Sequence, residues 1–465
     1  MKENAPERTL LCELADAWGV ATEYWGFDGN KVMVSDLTLI RILASLGVDA
    51  SNEPSARRAL EEARMRPWRE TLPACTVVRD DRESRVAVHL PHGAGVTVEV
   101  ELENGGARAL AQGEDFTPPR EVSGVLTGQA SFVVPARMPL GYHMLRARIT
   151  LDDGSTEVHG APFVVVPQRL ASPAERGMTG WGMTAQLYSV RSRRSWGVGD
   201  TADLKEMCSL FGAMGADFIL INPLHAAEPV GHITPSPYLP VTRRFFNPLY
   251  VRPEDVHEVA YMPAAQRALV TWAGEEIKET DVLNEVIDRD SSWEAKLQAL
   301  EVIFAFGRSK ARQRDFERFR AEQGEGLERY ALWCALTEKY GALVDWPHTL
   351  KDASSAFVAN EARTLTERID FYAWMQWIVD EQLGRAQAEA KASGMSLGVM
   401  DDLAVGVHPH GADVWSDPES FARGIEVGAP PDMYNQLGQN WSQPPWSPVH
   451  LAETAYAPLR DMVRT

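Results

Sequence analysis

The sequence has little of three things: cysteine, positive charge and long apolar runs. Its 465 residues include only four cysteines, at positions 12, 75, 208 and 334. Their scattered spacing excludes a disulfide framework and a zinc signature, and it is typical of a protein from the reducing cytoplasm. No apolar stretch approaches the roughly 18 residues that a membrane-spanning helix needs. The charged amino terminus is not followed by the apolar segment of an export signal.

The shortage of positive charge limits the partners that the protein can have. Lysine and arginine number 46 and aspartate and glutamate number 65, which gives a formal net charge of −19. A surface of that sign repels phosphate backbones and anionic lipids, so neither nucleic acid nor a membrane is an expected partner.

What the sequence does contain is an ordinary globular composition, with 45% hydrophobic and 24% charged residues. Its length predicts about three domains. Eleven of the 14 tryptophans lie beyond residue 180. Core packing is the ordinary explanation for each of them, and stacking on the faces of sugar rings is the alternative.

The first 167 residues divide into a helical part and a β-rich part. Leucines at helical spacing predict helices within residues 1–68, with Asp36 as the N-cap of one of them. Short alternating runs with turn residues between them predict a β-sandwich over residues 69–167. A packing or spacing module is the ordinary interpretation of that domain, and a carbohydrate-binding module is the alternative.

Residues 168–465 alternate strands and helices, as parallel α/β sheets do. Asp203 is the expected cap of a helix whose buried face includes Leu204 and Cys208. The near-continuous apolar run that follows is typical of a strand buried on both faces. The strand candidates are residues 181–190, 217–224 and 397–405.

Two helical stretches separate the second of these strands from the third. Residues 255–345 are mostly helical and charged, which predicts an inserted helical subdomain, and a long amphipathic helix is expected from Asp370 to Ala392. The predicted fold class is therefore multidomain. A helical segment and a β-sandwich precede a TIM-type β/α barrel, of which only about the first three strands and a helical insertion are present.

Four segments stand at or just past the carboxyl ends of these strands, where a β/α barrel has its active site. The last of them, Gly428–Trp446, packs four prolines, two tryptophans and a tyrosine into nineteen residues. That content excludes a helix or a central strand and predicts an ordered, aromatic-lined loop. The other three segments are residues 188–200, 222–248 and 401–415.

In this order the four segments resemble the amylomaltases, the 4-α-glucanotransferases of glycoside hydrolase family 77. The helical and β-rich leader resembles the longer bacterial subgroup, so the resemblance covers the whole chain. Departures from the family pattern are small: Leu239 and Thr242 replace serines, and Ser442 replaces a glycine. The residues that carry the resemblance are Gln186-Leu-Tyr-Ser, Trp196-Gly-Val-Gly-Asp200, Ser236-Pro-Tyr, Arg243-Arg-Phe-Phe-Asn247, Asp402-Leu-Ala-Val, Ala412-Asp-Val-Trp, Gly428-Ala-Pro-Pro-Asp and Gly438-Gln-Asn-Trp.

The resemblance implies a cleft for maltooligosaccharides or α-1,4-glucans, without a cofactor. Tyr238 would flank the sugar next to the scissile bond, with a core tyrosine as the alternative. Asp402 would hold sugar hydroxyls or an arginine. Asp401 must point to the opposite face of its strand, so the two aspartates do not form a catalytic dyad. The other substrate-binding residues implied are Ser236, Asn247, Asp432, Tyr434, Gln439 and Trp441.

Some of these residues have a structural explanation that competes with binding. Asp432 follows two prolines, so stabilising a turn explains it nearly as well as contacting a sugar does. The histidines of the same segments show no metal-ligand pattern and are interpreted as loop residues. They are His225, His232, His408 and His410.

The catalytic carboxylates of the resembled family have no counterpart here. A retaining mechanism needs two of them, and the family's nucleophile is the aspartate of an Arg-Ile-Asp-His motif. The only Arg-Ile-Asp in this sequence is Arg368–Asp370, which precedes the third strand and is interpreted as a helix cap. We expect the catalytic residues beyond Thr465, and hence a truncated chain that is inactive alone and lacks its C-terminal half. The alternatives are a non-catalytic glucan-binding protein and one half of a split enzyme.

Overall fold

The computed structural model describes residues 6–178, 180–281 and 286–464. The chain forms two compact units. The first comprises Met1–Arg176, Ala422–Trp441 and Pro445–Arg460, and the second comprises Gly177–Phe421, Ser442–Pro444 and Asp461–Thr465. Each unit contains hydrophobic cores of its own.

The first unit begins with three helices and a β-hairpin. Leu11, Leu14, Leu39 and Leu43 are fully buried between the helices, as their helical spacing predicts. The predicted cap at Asp36 is wrong by one residue, because the Ser35 side chain accepts a hydrogen bond from the Thr38 amide and Asp36 opens the helix. The elements are α1 (Arg8–Ala17), β1 (Glu23–Trp25), β2 (Lys31–Met33), α2 (Asp36–Ser45) and α3 (Glu53–Arg69).

The β-rich part of the first unit is a sandwich of two sheets, as the alternating pattern predicted. One sheet has the order β3-β11-β10-β5-β6 and the other has the order β4-β9-β7, with β8 paired to β9. Val88, Phe132, Leu145 and Phe163 are buried in the core. The strands are β3 (Thr76–Arg79), β4 (Ser84–Pro91), β5 (Gly95–Glu101), β6 (Ala107–Ala109), β7 (Ala111–Gln112), β8 (Arg120–Val122), β9 (Val125–Val134), β10 (Gly141–Thr150) and β11 (Thr156–Val166).

The second unit is organised around a parallel sheet with the order β12-β13-β14. Its strands are β12 (Gly182–Ala185), β13 (Phe218–Ile221) and β14 (Gly398–Asp401), shorter than predicted, and helix α4 (Thr201–Ala213) joins the first two. The predicted cap of α4, Asp203, is wrong: Asp200 is the N-cap, and Asp203 completes the capping box three residues later. Leu204 and Cys208 are buried on the helix, as predicted.

Helices fill the chain between β13 and β14. Their hydrophobic core includes seven of the eleven tryptophans beyond residue 180, so core packing explains most of that excess. No helix in the described ranges combines the length and the hydropathy of a membrane span. The helices are α5 (Ala264–Ala273), α6 (Glu275–Asp281), α7 (Arg289–Phe306), α8 (Lys310–Gln323), α9 (Glu325–Tyr340), α10 (Ala356–Thr364) and α11 (Thr366–Ala392).

Asp370 lies one turn inside α11 rather than capping it, so that prediction is wrong. Leu365 is the N-cap, and its side chain makes no capping hydrogen bond. The Asp370 carboxylate instead pairs with Arg308 at 3.1 Å and with Arg320 at 2.8 Å. An interhelical ion pair therefore explains this aspartate.

The proline-rich segment near residue 430 is not a plain loop. It contains two short paired strands, with Pro430 and Pro431 between them and Pro444 and Pro445 after the second. The prolines lie outside the strands, where they remove no ladder hydrogen bond. The elements of this part are α12 (Ala412–Ser416), β15 (Val427–Ala429), β16 (Gln439–Gln443), α13 (Pro448–Glu453) and α14 (Ala457–Arg464).

Candidate functional site

The carboxyl ends of β13 and β14 place two polar side chains at one edge of the sheet. The strands pair in parallel with Ile221 opposite Asp401, and the Asp402 amide donates to the Ile221 carbonyl at 3.2 Å. Asn222 follows β13 and Asp402 follows β14. Since side chains alternate along a strand, Asp402 leaves the sheet on the face opposite to Asp401.

Tyr238 and Asp402 form a direct hydrogen-bonded pair. The Tyr238 hydroxyl donates to Asp402 Oδ2 at 2.8 Å. This hydrogen bond, more than partial burial, raises the pKa of Tyr238, so the phenol stays protonated as a donor. Tyr238 as a residue is 43% exposed, which excludes the alternative of a core tyrosine. Ser236 Oγ accepts from the Tyr238 amide at 3.3 Å, and Gln443 Nε2 donates to the Tyr238 carbonyl at 2.8 Å.

Two side chains for which no binding role was predicted hold the backbone after Asp402. Arg243 Nη1 donates to the carbonyls of Ala404 at 3.2 Å and Val405 at 2.6 Å. The Ala404 amide donates to His225 Nε2 at 3.2 Å. We call residues 402–405 the Asp402 turn. A cation on its carbonyls and an imidazole on its amide fix the direction of the Asp402 side chain.

His225 accepts a hydrogen bond and must therefore be neutral at Nε2. Burial, and then the neighbouring Arg243, lower the pKa of His225 to about 4, against the opposing effect of Asp402. The ring proton then resides on Nδ1 at neutral pH. The position of His225 in the sequence could have indicated this role. It comes four residues after a buried strand, at the edge where a parallel sheet places functional groups.

Arg243 is held in turn by the segment after the Asp402 turn. Asp413 Oδ2 accepts from the Arg243 amide at 3.0 Å, and the Asp413 amide donates to the Val241 carbonyl. Thr242, one of the departures from the family pattern, keeps a hydroxyl that accepts from the Arg244 amide at 3.1 Å. Three chain segments, near residues 225, 240 and 410, therefore interlock around Asp402.

A small cleft lies beside this arrangement, lined on one side by Ser236 and Pro237 of the Ser236–Tyr238 loop, whereas Tyr238 and Asp402 themselves are not part of its lining. Asn247 lines it, but its Oδ1 accepts from the Leu249 amide at 3.0 Å, so part of this side chain is committed to the local backbone. Leu239, another departure from the family pattern, also lines the cleft. Tyr188 and Arg289 also line this cleft.

The loop that leads into α4 stands on a buried ion cluster. Asp200 Oδ2 accepts from Arg252 Nε at 2.6 Å and lies 3.6 Å from Lys296 Nζ. Arg252 also reaches Asp203 at 3.2 Å. The two anions and two cations are almost fully buried and compensate one another. Residues 196–200 are thereby fixed to α7 and α11, because Gln382 binds both Thr201 and the Arg252 backbone.

The other four predicted binding residues lie in the β15–β16 segment of the first unit. Asp432 Oδ1 accepts from the amides of Tyr434 at 2.8 Å and Asn435 at 2.6 Å, which is the turn-stabilising role. Tyr434 is 86% exposed. Trp441 Nε1 donates to Gln439 Oε1 at 3.1 Å. The structure thus brings Ser236, Tyr238, Asn247 and Asp402 to one place and the other four to a separate hairpin.

No cluster of three or more histidine, cysteine or acidic side chains suited to a metal ion occurs in the part of the chain that the structure describes. His232 pairs with Asp290 Oδ2 at 2.7 Å, and His408 Nδ1 accepts from the His410 amide. The first contact ties the His232 loop to α7, and the second is local to its loop.

Two protein-family models match separate parts of the chain. The family model described as 4-alpha-glucanotransferase, glycoside hydrolase family 77, matches residues 185–465. The chain belongs to this family. A second model, the MalQ N-terminal beta sandwich domain, matches residues 71–167 and so covers the sandwich.

Individual relatives agree with the family. The chain is 44% identical over its whole length to the 4-alpha-glucanotransferase of Mycobacterium tuberculosis H37Rv, and 32% identical over 70% of its length to that of Haemophilus influenzae. It spans 64% and 48% of the length of these relatives.

Solved structures show the same architecture. The crystal structure of amylomaltase from Corynebacterium glutamicum matches 98% of this chain, and 63% of its own length, with a TM-score of 0.88 and 40% identity. Amylomaltase from Streptococcus agalactiae, solved in complex with acarbose, shares the fold over 61% of the chain and 56% of its own length at 17% identity, with a TM-score of 0.52. The family's multidomain fold, with a β-sandwich before a mixed helical and β region, is therefore present.

Proposed function

We propose that this chain serves 4-alpha-glucanotransferase chemistry, the transfer of α-1,4-glucan segments between maltodextrins by a retaining double displacement. The observation that carries the proposal is the Tyr238–Asp402 pair, set beside a cleft in a chain 44% identical to a 4-alpha-glucanotransferase. The phenol presents an exposed apolar face for a glucose ring. Asp402 Oδ1 accepts from the Leu403 amide at 2.9 Å, and its second lone pair can accept from a sugar hydroxyl.

The domain plan is part of the proposal. Residues 1–68 form a helical region, 69–167 the sandwich, and 168–465 the first part of a TIM-type barrel with a helical insertion at about 255–345. The parallel order β12-β13-β14 supports it, because a β/α barrel begins with such neighbours. Asp432, Tyr434, Gln439 and Trp441 are proposed to bind glucan. The proposed compartment is the cytoplasm, and no cofactor is required.

The chemical step needs more than the described site contains. Retention requires two carboxylates about 5–5.5 Å apart, one as nucleophile and one as acid/base. Asp402 is engaged by Tyr238, Asp401 faces the other way, and Asp370 is paired with two arginines. We infer that this chain binds glucan and does not transfer it, and that a C-terminal half supplies the catalytic groups. Binding without transfer also fits a non-catalytic glucan-binding protein, and gain of activity on adding that half separates the two.

Titration calorimetry with acarbose and with maltoheptaose tests the binding proposal. We expect Tyr238→Ala and Asp402→Ala to weaken both ligands at least tenfold, since each removes a direct contact. Tyr261→Ala is the matched control, because Tyr261 is a tyrosine of nearly equal exposure, 45%, on a helical turn of the same unit. Absence of binding by the unsubstituted chain would contradict the proposal.

A product assay tests the second half of the proposal. The chain is incubated with maltotriose, and glucose and longer oligomers are measured. We expect none above a control without protein. Transfer by the 465 residues alone would show that the catalytic carboxylates are among them.

A further inference from the structure

The cleft beside Tyr238 extends to two residues that the family resemblance does not single out. Tyr188, just past β12, and Arg289, the first residue of α7, line the same cleft as Ser236 and Leu239, the neighbours of Tyr238 in its loop. Tyr188 contributes to the raised pKa of Tyr238, after the hydrogen bond to Asp402, burial and the charge of Asp402. The two phenols are therefore within electrostatic range of each other.

Arg289 is held by an aromatic ring and by nothing else in the described ranges. Its guanidinium carbon lies 4.8 Å from the centroid of the Tyr188 ring, a cation–π distance. Among the described residues, its guanidinium makes no hydrogen bond and no ion pair. The side chain is half-buried and lines the cleft, so its N–H donors are available to a ligand there.

Other arginines of this unit that pack on rings are different. Arg308 lies over Phe304 and pairs with Asp370, Arg312 lies over Trp377 and pairs with Glu258 and Glu381, and Arg368 lies over Phe371 and pairs with Glu338. In each of them the ring contact accompanies an ion pair that explains the charge. Arg289 has only the ring contact.

Helix stability does not explain Arg289 either. It occupies the first turn of α7, where the helix dipole favours anions and a cation is unfavourable. Asp288 already caps this helix by accepting from the Ser291 amide at 3.0 Å. A positive charge at this position therefore costs the helix stability, although Arg289 also helps to lower the pKa of the adjacent Asp290.

We propose that Arg289 and Tyr188 form a second glucan contact in the cleft, which binds a glucose unit beyond the one flanked by Tyr238. The planar guanidinium donates in parallel to two neighbouring sugar hydroxyls, and the ring beneath holds it in position. The inference rests on the proposed function, because it assigns more of the same substrate to the same cleft. It makes chain length a determinant of affinity.

The test compares a short and a long ligand on the full chain. Dissociation constants for maltose and maltoheptaose are measured for the unsubstituted protein, Arg289→Met, Arg289→Lys and Tyr188→Phe. Arg289→Met should weaken maltoheptaose about tenfold and maltose less than twofold, because only the longer ligand reaches the second contact. Arg289→Lys, which keeps the charge without the fork, should be intermediate. Tyr188→Phe, which keeps the ring, should stay within about threefold of the unsubstituted protein for both ligands.

Controls separate the inference from the function on which it rests. Arg318→Met, on the exposed face of α8 with only an i,i+3 partner, should leave both constants unchanged. If the unsubstituted chain binds neither sugar, the proposed function fails. If it binds both and Arg289→Met changes neither, or both equally, the second contact is overturned. Competition by 10 mM inorganic phosphate would overturn it in favour of an anion site. If thermal melting shows that Arg289→Met does not fold, Arg289→Lys is the deciding variant. Dissociation constants equal to those of the unsubstituted protein for both ligands would then refute the second contact.

Discussion

Two aspartate-led turns of this protein are supported in opposite ways. The Asp402 turn is held by Tyr238, Arg243 and His225, which lie 164, 162 and 179 residues from their partners in it. The turn led by Asp432 is held by amides two and three residues away. Both were predicted to bind sugar. The geometry of the Asp402 turn therefore depends on long-range contacts of the fold. The geometry of the Asp432 turn depends on local hydrogen bonds alone.

The largest effect is expected from breaking the Asp402 turn at Arg243. Arg243→Met removes a buried cation and leaves two carbonyls and the Asp413 carboxylate without their compensation. We expect a loss of about 3–5 kcal/mol in the free energy of unfolding. Urea denaturation measures it. A loss below about 1 kcal/mol would show that the turn does not depend on this charge.

The next effect is a pH dependence that only the Asp402 turn should show. His225 titrates near pH 6.5 when unfolded and near 4 when folded, so the unfolded chain takes up the proton first. The contribution of His225 to the free energy of unfolding is therefore fully present above about pH 6.5. It is lost as the pH falls towards 4, by on the order of 3 kcal/mol at most.

The control for this pH dependence is His225→Gln, which keeps an acceptor for the Ala404 amide and does not titrate. The difference in stability between the unsubstituted protein and this variant, measured by denaturation at several pH values, isolates the histidine. Parallel profiles between pH 4 and 6.5 would contradict its role.

A smaller effect is expected at the second turn. Asp432→Ala removes two local hydrogen bonds on an exposed hairpin, and about 1 kcal/mol or less should be lost. Thermal melting of this variant beside Arg243→Met compares the two turns directly. A shift as large as that of Arg243→Met would remove the distinction between them.

The smallest effect concerns Ser442, which replaces a glycine of the family pattern. Its φ of 56° lies in the left-handed region, where a Cβ is unfavourable. Ser442→Gly should therefore raise the free energy of unfolding, by up to about 1 kcal/mol, because the gain is partly offset by the flexibility of glycine in the unfolded chain. Differential scanning calorimetry detects the change, and a lower melting temperature would argue against the strain.

Local pattern predicted what depends on local physics. The strands around Ile219 and Val399 and the stripe of Leu204 and Cys208 follow from periodicity. Periodicity did not identify the exact N-caps. Ser35 and Asp200 each stand close to an aspartate that could also cap the helix, Asp36 and Asp203 respectively.

Long-range pairing could not be read from the sequence. Nothing near His225 indicates that its ring meets the amide of Ala404, 179 residues later. Arg252 and Lys296 likewise look like surface charges until Asp200 and Asp203 are placed beside them in the interior. Such contacts depend on how distant segments pack against each other, and no short stretch of the sequence contains that information.

The contact between Gln443 and the Tyr238 carbonyl can form only late in synthesis of the chain. The two residues are 205 positions apart, and ribosomes add about 5–20 residues per second, so they are synthesised about 10–40 s apart. Helices form in microseconds, so α5 to α11 can assemble while the cleft still lacks its last brace. A nascent chain stalled between these positions would display the Tyr238 loop without the Gln443 amide that holds it.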